Sequence, residues 1–182
     1  MKPNILPIFL LCAISLFPAC SKPKGPTWQS FQPPGGRFAV ELPGDPIADP
    51  PETTRTEVVI KWHIVSTLSG ISGLSIGYSD GPSRSAETNQ PAVLLAKVRD
   101  QSISDLNGEH LKQKDKPISL KAPQGADLPG MEFQVSIKSG FVVRERIYLV
   151  GTRIYALMVV AGSPGVSSAD AERFFNSFRI LP

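Results

Sequence analysis

The chain has 182 residues, a formal net charge of +3 and a hydrophobic content of 41%. That length suits one ordinary domain, and that content excludes disorder throughout. The near-neutral charge gives no basis for a nucleic-acid partner, which calls for a clustered basic face.

Residues 1–19 read as a signal peptide. Lys2 supplies a positive charge, Ile5 to Phe17 form a short apolar run, and Pro18-Ala19-Cys20 follow. The run is too short for a transmembrane helix, which needs about 20 residues. Ala19 before Cys20 resembles the lipid-attachment site of bacterial lipoproteins, although Phe17 and Pro18 depart from the usual Leu and small residue. The resemblance implies that Cys20 is the lipidation site. In a plain secretory signal Cys20 would instead be incidental. The other cysteine, Cys12, lies inside the leader, so a cleaved chain keeps no thiol to pair with Cys20. Ser21 stands where Asp would signal inner-membrane retention, so the outer membrane, facing the periplasm, is the expected location.

Residues 20–36 are rich in Pro and Gly and read as a flexible tether, with Trp28 and Phe31 expected to dock on the domain. Residues 37–182 are expected to form a single α+β domain. Phe38, Val40 and Leu42 alternate as a half-buried strand closed by Pro43-Gly44-Asp45-Pro46. Residues 57–68 and 74–78 read as an antiparallel pair turned at residues 70–73. Pro91 opens a helix whose apolar side is Leu94, Leu95, Val98 and Leu106, and Asn107-Gly108 stops it. Residues 109–122 read as extended and broken at Pro117. Lys112, Lys114 and Lys116 would alternate along that segment, guarding an exposed edge or meeting acidic headgroups.

Phe133, Val135 and Ile137 mark the next strand, and Ser139-Gly140 turns the chain. Two strands, 141–150 and 153–161, are joined by Gly151-Thr152, a two-residue hairpin turn. The second is apolar on both faces, so something must pack on each side, the final helix being one candidate. That helix, capped by Ser167 or Ser168, presents Ala171, Phe174, Phe175 and Phe178. The fold class expected is α+β, a mostly antiparallel β-sheet flanked by two helices.

The segment Gly36-Arg37-Phe38-Ala39-Val40-Glu41-Leu42-Pro43-Gly44-Asp45-Pro46 resembles the start of a group of uncharacterised bacterial exported domains. Residues 146–155 and 174–178 resemble their final hairpin and terminal helix. The arrangement is similar to the Mog1/PsbP-like fold. The resemblance implies binding or assembly roles in some relatives and no shared catalytic residues. The Ran-binding and photosystem roles known in that fold have no motif here.

Four residue sets invite chemistry. Gly73-Leu74-Ser75-Ile76-Gly77 matches the serine-hydrolase pattern, with His110 and Asp100 or Asp105 as partners. The pattern nevertheless lies within an alternating strand rather than on a strand-to-helix turn. His63 and His110 are the only histidines, too few for a usual catalytic zinc site, so no metal and no cofactor are expected. Glu145 falls on the apolar face of its strand, where it needs a strand arginine such as Arg153, or a bulge turning it outward. Arg144 and Arg146, on the opposite face, are expected to be solvated; anion binding is the alternative. The leading expectation is a non-enzymatic, lipid-anchored cell-envelope protein with a binding or assembly role, its partners the membrane and an envelope protein. The rivals are an envelope serine hydrolase using Ser75 and a small-ligand binder using the space between sheet and helix.

Overall fold

The computed structural model describes residues 26–48, 52–53, 61–69, 72–80 and 90–182. The fold is α+β, with two helices against mostly antiparallel sheets. In chain order the strands are β1 (Trp28–Phe31), β2 (Phe38–Pro43), β3 (Ile47–Ala48), β4 (Glu52–Thr53), β5 (Lys61–Ser69) and β6 (Ser72–Asp80). Helix α1 (Pro91–Leu106) is followed by β7 (Glu109–His110), β8 (Lys116–Lys121), β9 (Asp127–Ser136), β10 (Val142–Val150) and β11 (Arg153–Ala161). Helix α2 (Ala169–Ser177) and β12 (Arg179–Ile180) complete the described elements.

The main sheet runs β3-β5-β6-β11-β10-β9-β7, with β4 added at β5 and β8 at β9. A small sheet, β1-β2-β12, lies apart from it. Two apolar clusters separate these layers. Phe38, Val40 and Leu42 of β2 and Phe174, Phe175 and Phe178 around α2 pack with Leu74, Ile76, Tyr155 and Leu157 on one face of the main sheet. Leu95 of α1 packs with Phe133, Val143, Ile147 and Ile154 on the other. Each such side chain contributes about 1.5–3 kcal/mol on full burial. Layers on both faces explain why β11 is apolar on both sides.

Local chemistry sets the element ends. Pro91 starts α1, and Asn107 stops it in the left-handed conformation at φ 47°. Gly108 must be glycine because a Cβ there would stand 2.4 Å from Val135. The Ser168 hydroxyl accepts the Ala171 N–H at 3.2 Å and caps α2, while Asp170 and Glu172 favour its first turn. Val150 pairs with Arg153, so Gly151-Thr152 is the expected two-residue turn, with Gly151 at φ 61°.

Two expected boundaries change. Trp28–Phe31 form a strand paired with β2, so ordered structure begins well before Arg37. Gly36 is held from the main sheet by the Tyr155 hydroxyl, which donates to its carbonyl at 2.9 Å. Arg153 donates to the Gly35 carbonyl at 2.6 Å. The second half of the expected tether therefore belongs to the fold. Along residues 109–122 the break falls at a 3-10 turn, Lys112–Lys114, and Pro117 lies inside β8.

Candidate functional site

Cys20 and the leader lie outside the described residues. No helix among the described residues is long and apolar enough to cross a membrane.

Ser75 sits in the middle of β6, opposite Ser66 on one side and Met158 on the other. A flat strand exposes no nucleophile beside backbone donors. Its possible partners are engaged elsewhere. Asp100 pairs with Arg99, Gln101 donates to Asp105 at 2.7 Å, and His110 Nε2 lies 2.7 Å from Asp115. Asp115 also takes Arg99 at 3.1 Å, which ties α1 to the start of β8. His63 occupies a β5 position opposite Tyr78. Among the described residues no group of three or more His, Cys, Asp or Glu is placed to hold a metal.

Glu145 is buried, as its place on β10 demands, but its partner is not an arginine. It lies beneath α1, and the Ser102 hydroxyl donates to its Oε2 at 2.6 Å. Burial raises its pKa to about 7. The Ser102 bond lowers it, and the charge of Asp105 raises it again. Arg153 is committed instead to Asp80, through Nε–Oδ1 at 2.7 Å and Nη2–Oδ2 at 2.9 Å.

Arg144 and Arg146 are not solvated. They point beneath α2 and converge on Glu132, which is 1% exposed. Arg144 Nη2 and Arg146 Nε donate to Glu132 Oε2 at 3.0 and 2.6 Å, and Lys116 Nζ lies 2.9 Å from Oε1. Burial pushes Glu132 up, but the bonds from Arg144, Arg146 and Lys116 outweigh it and hold the pKa at about 2. Arg144 also pairs with Glu172 of α2, and Arg146 donates to Asn176 at 3.3 Å. Both guanidinium groups lie over the Phe175 ring, at 4.9 and 4.5 Å from its centroid. The cluster clamps α2 to the sheet and commits both arginines to Glu132, with Arg144 Nε left buried and without a hydrogen-bond partner among the described residues. Lys116, expected to guard an edge, is part of this clamp, while Lys112 and Lys114 sit on the preceding 3-10 turn.

The sequence reading passed over Glu132. A signal was there: the Ser139-Gly140 turn sets β9 against β10 so that Glu132 faces Arg146. The space between sheet and helices, which the rival small-ligand reading would use, is filled by side chains of the two clusters. A cleft of about 500 Å³ opens instead at the sheet end, beside Arg37, Gln124, Thr152 and Arg153. Its Arg153 is already held by Asp80 and two carbonyls.

No protein-family model and no curated protein sequence matches the chain. Among solved structures, that of cyanobacterial PsbP (CyanoP) from Synechocystis sp. PCC 6803 is similar. The match covers 90% of this chain and 98% of that one, with a TM-score of 0.58 and 11% sequence identity. At that identity the likeness speaks for the fold alone: the described domain has a PsbP-like fold.

Proposed function

We propose that the chain is an exported accessory domain of the cell envelope, lipid-anchored through Cys20, that works by binding or assembly rather than catalysis. One observation carries this reading. The acceptor-like Ala19-Cys20 pair is followed, eight residues after the cysteine, by Trp28, the first residue of β1 in a PsbP-like domain. Two or three acyl chains on Cys20 give durable attachment, since each buried methylene adds about 0.8 kcal/mol and a single chain binds only marginally.

The test is the mass of the mature N-terminus. Acyl groups on a chain beginning at Cys20 support the reading, and an unmodified thiol or a different first residue defeats it. Cell fractionation then decides the membrane, with the outer membrane expected. The rival hydrolase is tested by a fluorophosphonate probe. Labelling that disappears in Ser75→Ala would replace the binding role with an enzymatic one.

A further inference from the structure

The position of β1 gives the domain a defined end at which the chain enters. Gly44 N–H donates to the Thr27 carbonyl at 3.0 Å, and Trp28 pairs with Pro43. Thr67 donates to the Pro43 carbonyl at 2.7 Å, which links this corner of the small sheet to β5. From there the register runs across the main sheet. Leu68 lies opposite Gly73, Gly73 opposite Val160, and Val142 opposite both Ala161 and Ser136. The turn after β9 completes this end, with Ile137 N–H bonded to the Phe141 carbonyl.

Exposed apolar side chains collect at the same end. Leu68 is 75% exposed, Ile47 70% and Phe141 39%. Ile47 pairs with Ser66, so it shares a face with Leu68 as its diagonal neighbour. Three strand spacings of about 4.8 Å separate β5 from β10, so Leu68 and Phe141 are on the order of 15 Å apart. Val93, the fourth exposed large apolar residue described, sits on the first turn of α1, about 20 Å along the helix from Gly108. At the opposite end the cleft mixes Asp80, Arg153, Gln124 and Thr152 with Leu128, Val150 and Ile180, which are half-buried.

We infer that the end where the chain enters rests on the lipid surface, with Ile47, Leu68 and Phe141 as its apolar contacts. This rests on the anchoring of Cys20 proposed above. Residues 21–27 span at most about 25 Å when extended, so the anchor keeps this end close to the bilayer. The nine residues of β10 are on the order of 30 Å long, which holds the cleft end away from it. The exposed Lys138, in the turn before Phe141, adds one positive charge at this end, where Asp45 and Glu109 are also exposed. The apolar side chains then enter the boundary between headgroups and acyl chains. A lipid surface thus accounts for the exposed apolar side chains of this end.

The test uses residues 20–182, whose single thiol couples to a maleimide lipid in vesicles of phosphatidylethanolamine and phosphatidylglycerol. Amide hydrogen exchange is compared between the tethered protein and the same protein free in solution. Slower exchange confined to residues 44–48, 66–69 and 137–142 supports the inference. Loss of that protection in Leu68→Ser, and in Ile47→Asp with Phe141→Asp, is also expected while coupling remains complete. Leu68→Ser alters an exposed side chain, and an unchanged thermal midpoint verifies its fold. Unchanged exchange at this end, or protection at residues 122–124 and 151–153, overturns the inference. Chemical coupling makes this result independent of acylation in the cell, which the N-terminal mass decides separately.

Discussion

Glu145 and Glu132 project from opposite faces of the same sheet, both almost fully buried, and the domain treats them in opposite ways. On the α1 side, Glu145 meets one hydroxyl and an apolar surround, and its pKa rises to about 7. On the α2 side, Glu132 meets two arginines and a lysine, and its pKa falls to about 2. Burial penalises both charges, so partners alone decide the sign. Both helices are held by apolar packing, but α1 covers a carboxyl that favours its neutral form, whereas α2 adds a charged clamp around Phe175.

The opposite shifts give opposite dependences on pH. Glu132, depressed below its unfolded value of 4.5, adds stability that is present above pH 4.5 and lost as pH falls toward 2. Glu145, raised above the same value, adds a penalty that is absent below pH 4.5 and grows as pH rises through 7.

The contrast can be broken most forcefully at Glu132. Glu132→Gln removes the buried anion that Arg144 and Arg146 share, leaving them only the part-exposed Glu172, and is expected to cost about 3 kcal/mol at pH 7. Urea denaturation measures it, and a loss below 1 kcal/mol would mean the clamp is not structural. Glu145→Gln acts in the other direction. Its amide needs no ionisation, so the variant should be about 2–3 kcal/mol more stable than the parent at pH 8, a gain that vanishes below pH 4.5. Denaturation across that range checks it, and equal pH slopes for both proteins would refute the assignment.

Ser102→Ala removes the hydroxyl that Glu145 accepts and should cost about 1 kcal/mol. It should also move the Glu145 titration upward, which carbon-detected NMR of the carboxyl can follow. The smallest effect is expected at Lys116. That side chain is 56% exposed, so Lys116→Ala should cost less than about 1 kcal/mol and lose even that in high salt. Thermal midpoints at low and high ionic strength measure it, and a loss matching that of Glu132→Gln would place the lysine at the centre of the clamp.

Much of the scaffold was legible because its signals are local. Pro91 and Asn107-Gly108 bound α1, Gly151-Thr152 sets the last hairpin, and the phenylalanines from 174 to 178 mark the face of α2. The burial of Glu145 was also legible, because alternation along one strand places it with Val143 and Ile147. Its partner was not, because Ser102 reaches it only through the packing of α1 across β10, which no local pattern encodes. The arginines misled for a related reason. Alternation put Arg144 and Arg146 on the face away from Glu145, and charge suggested water, but α2 closes over that face from twenty-odd residues downstream. Trp28 and Phe31 were expected to dock. That they do so as a paired strand depends on β2, itself covered by the distant α2.

The small sheet has a consequence for how the molecule is made. Its middle strand, β2, takes β12 as a partner, Arg179 opposite Ala39 and Ile180 opposite Phe38, so segments from the two ends of the folded region complete each other. A growing chain cannot form this pairing until residue 180 has left the ribosome, and closing so long a loop is slow. The aromatic group of Phe38, Tyr78, Tyr155 and Phe178 waits on the same event. If the chain is exported as proposed, this late closure would leave the small sheet to form after residue 180 has crossed.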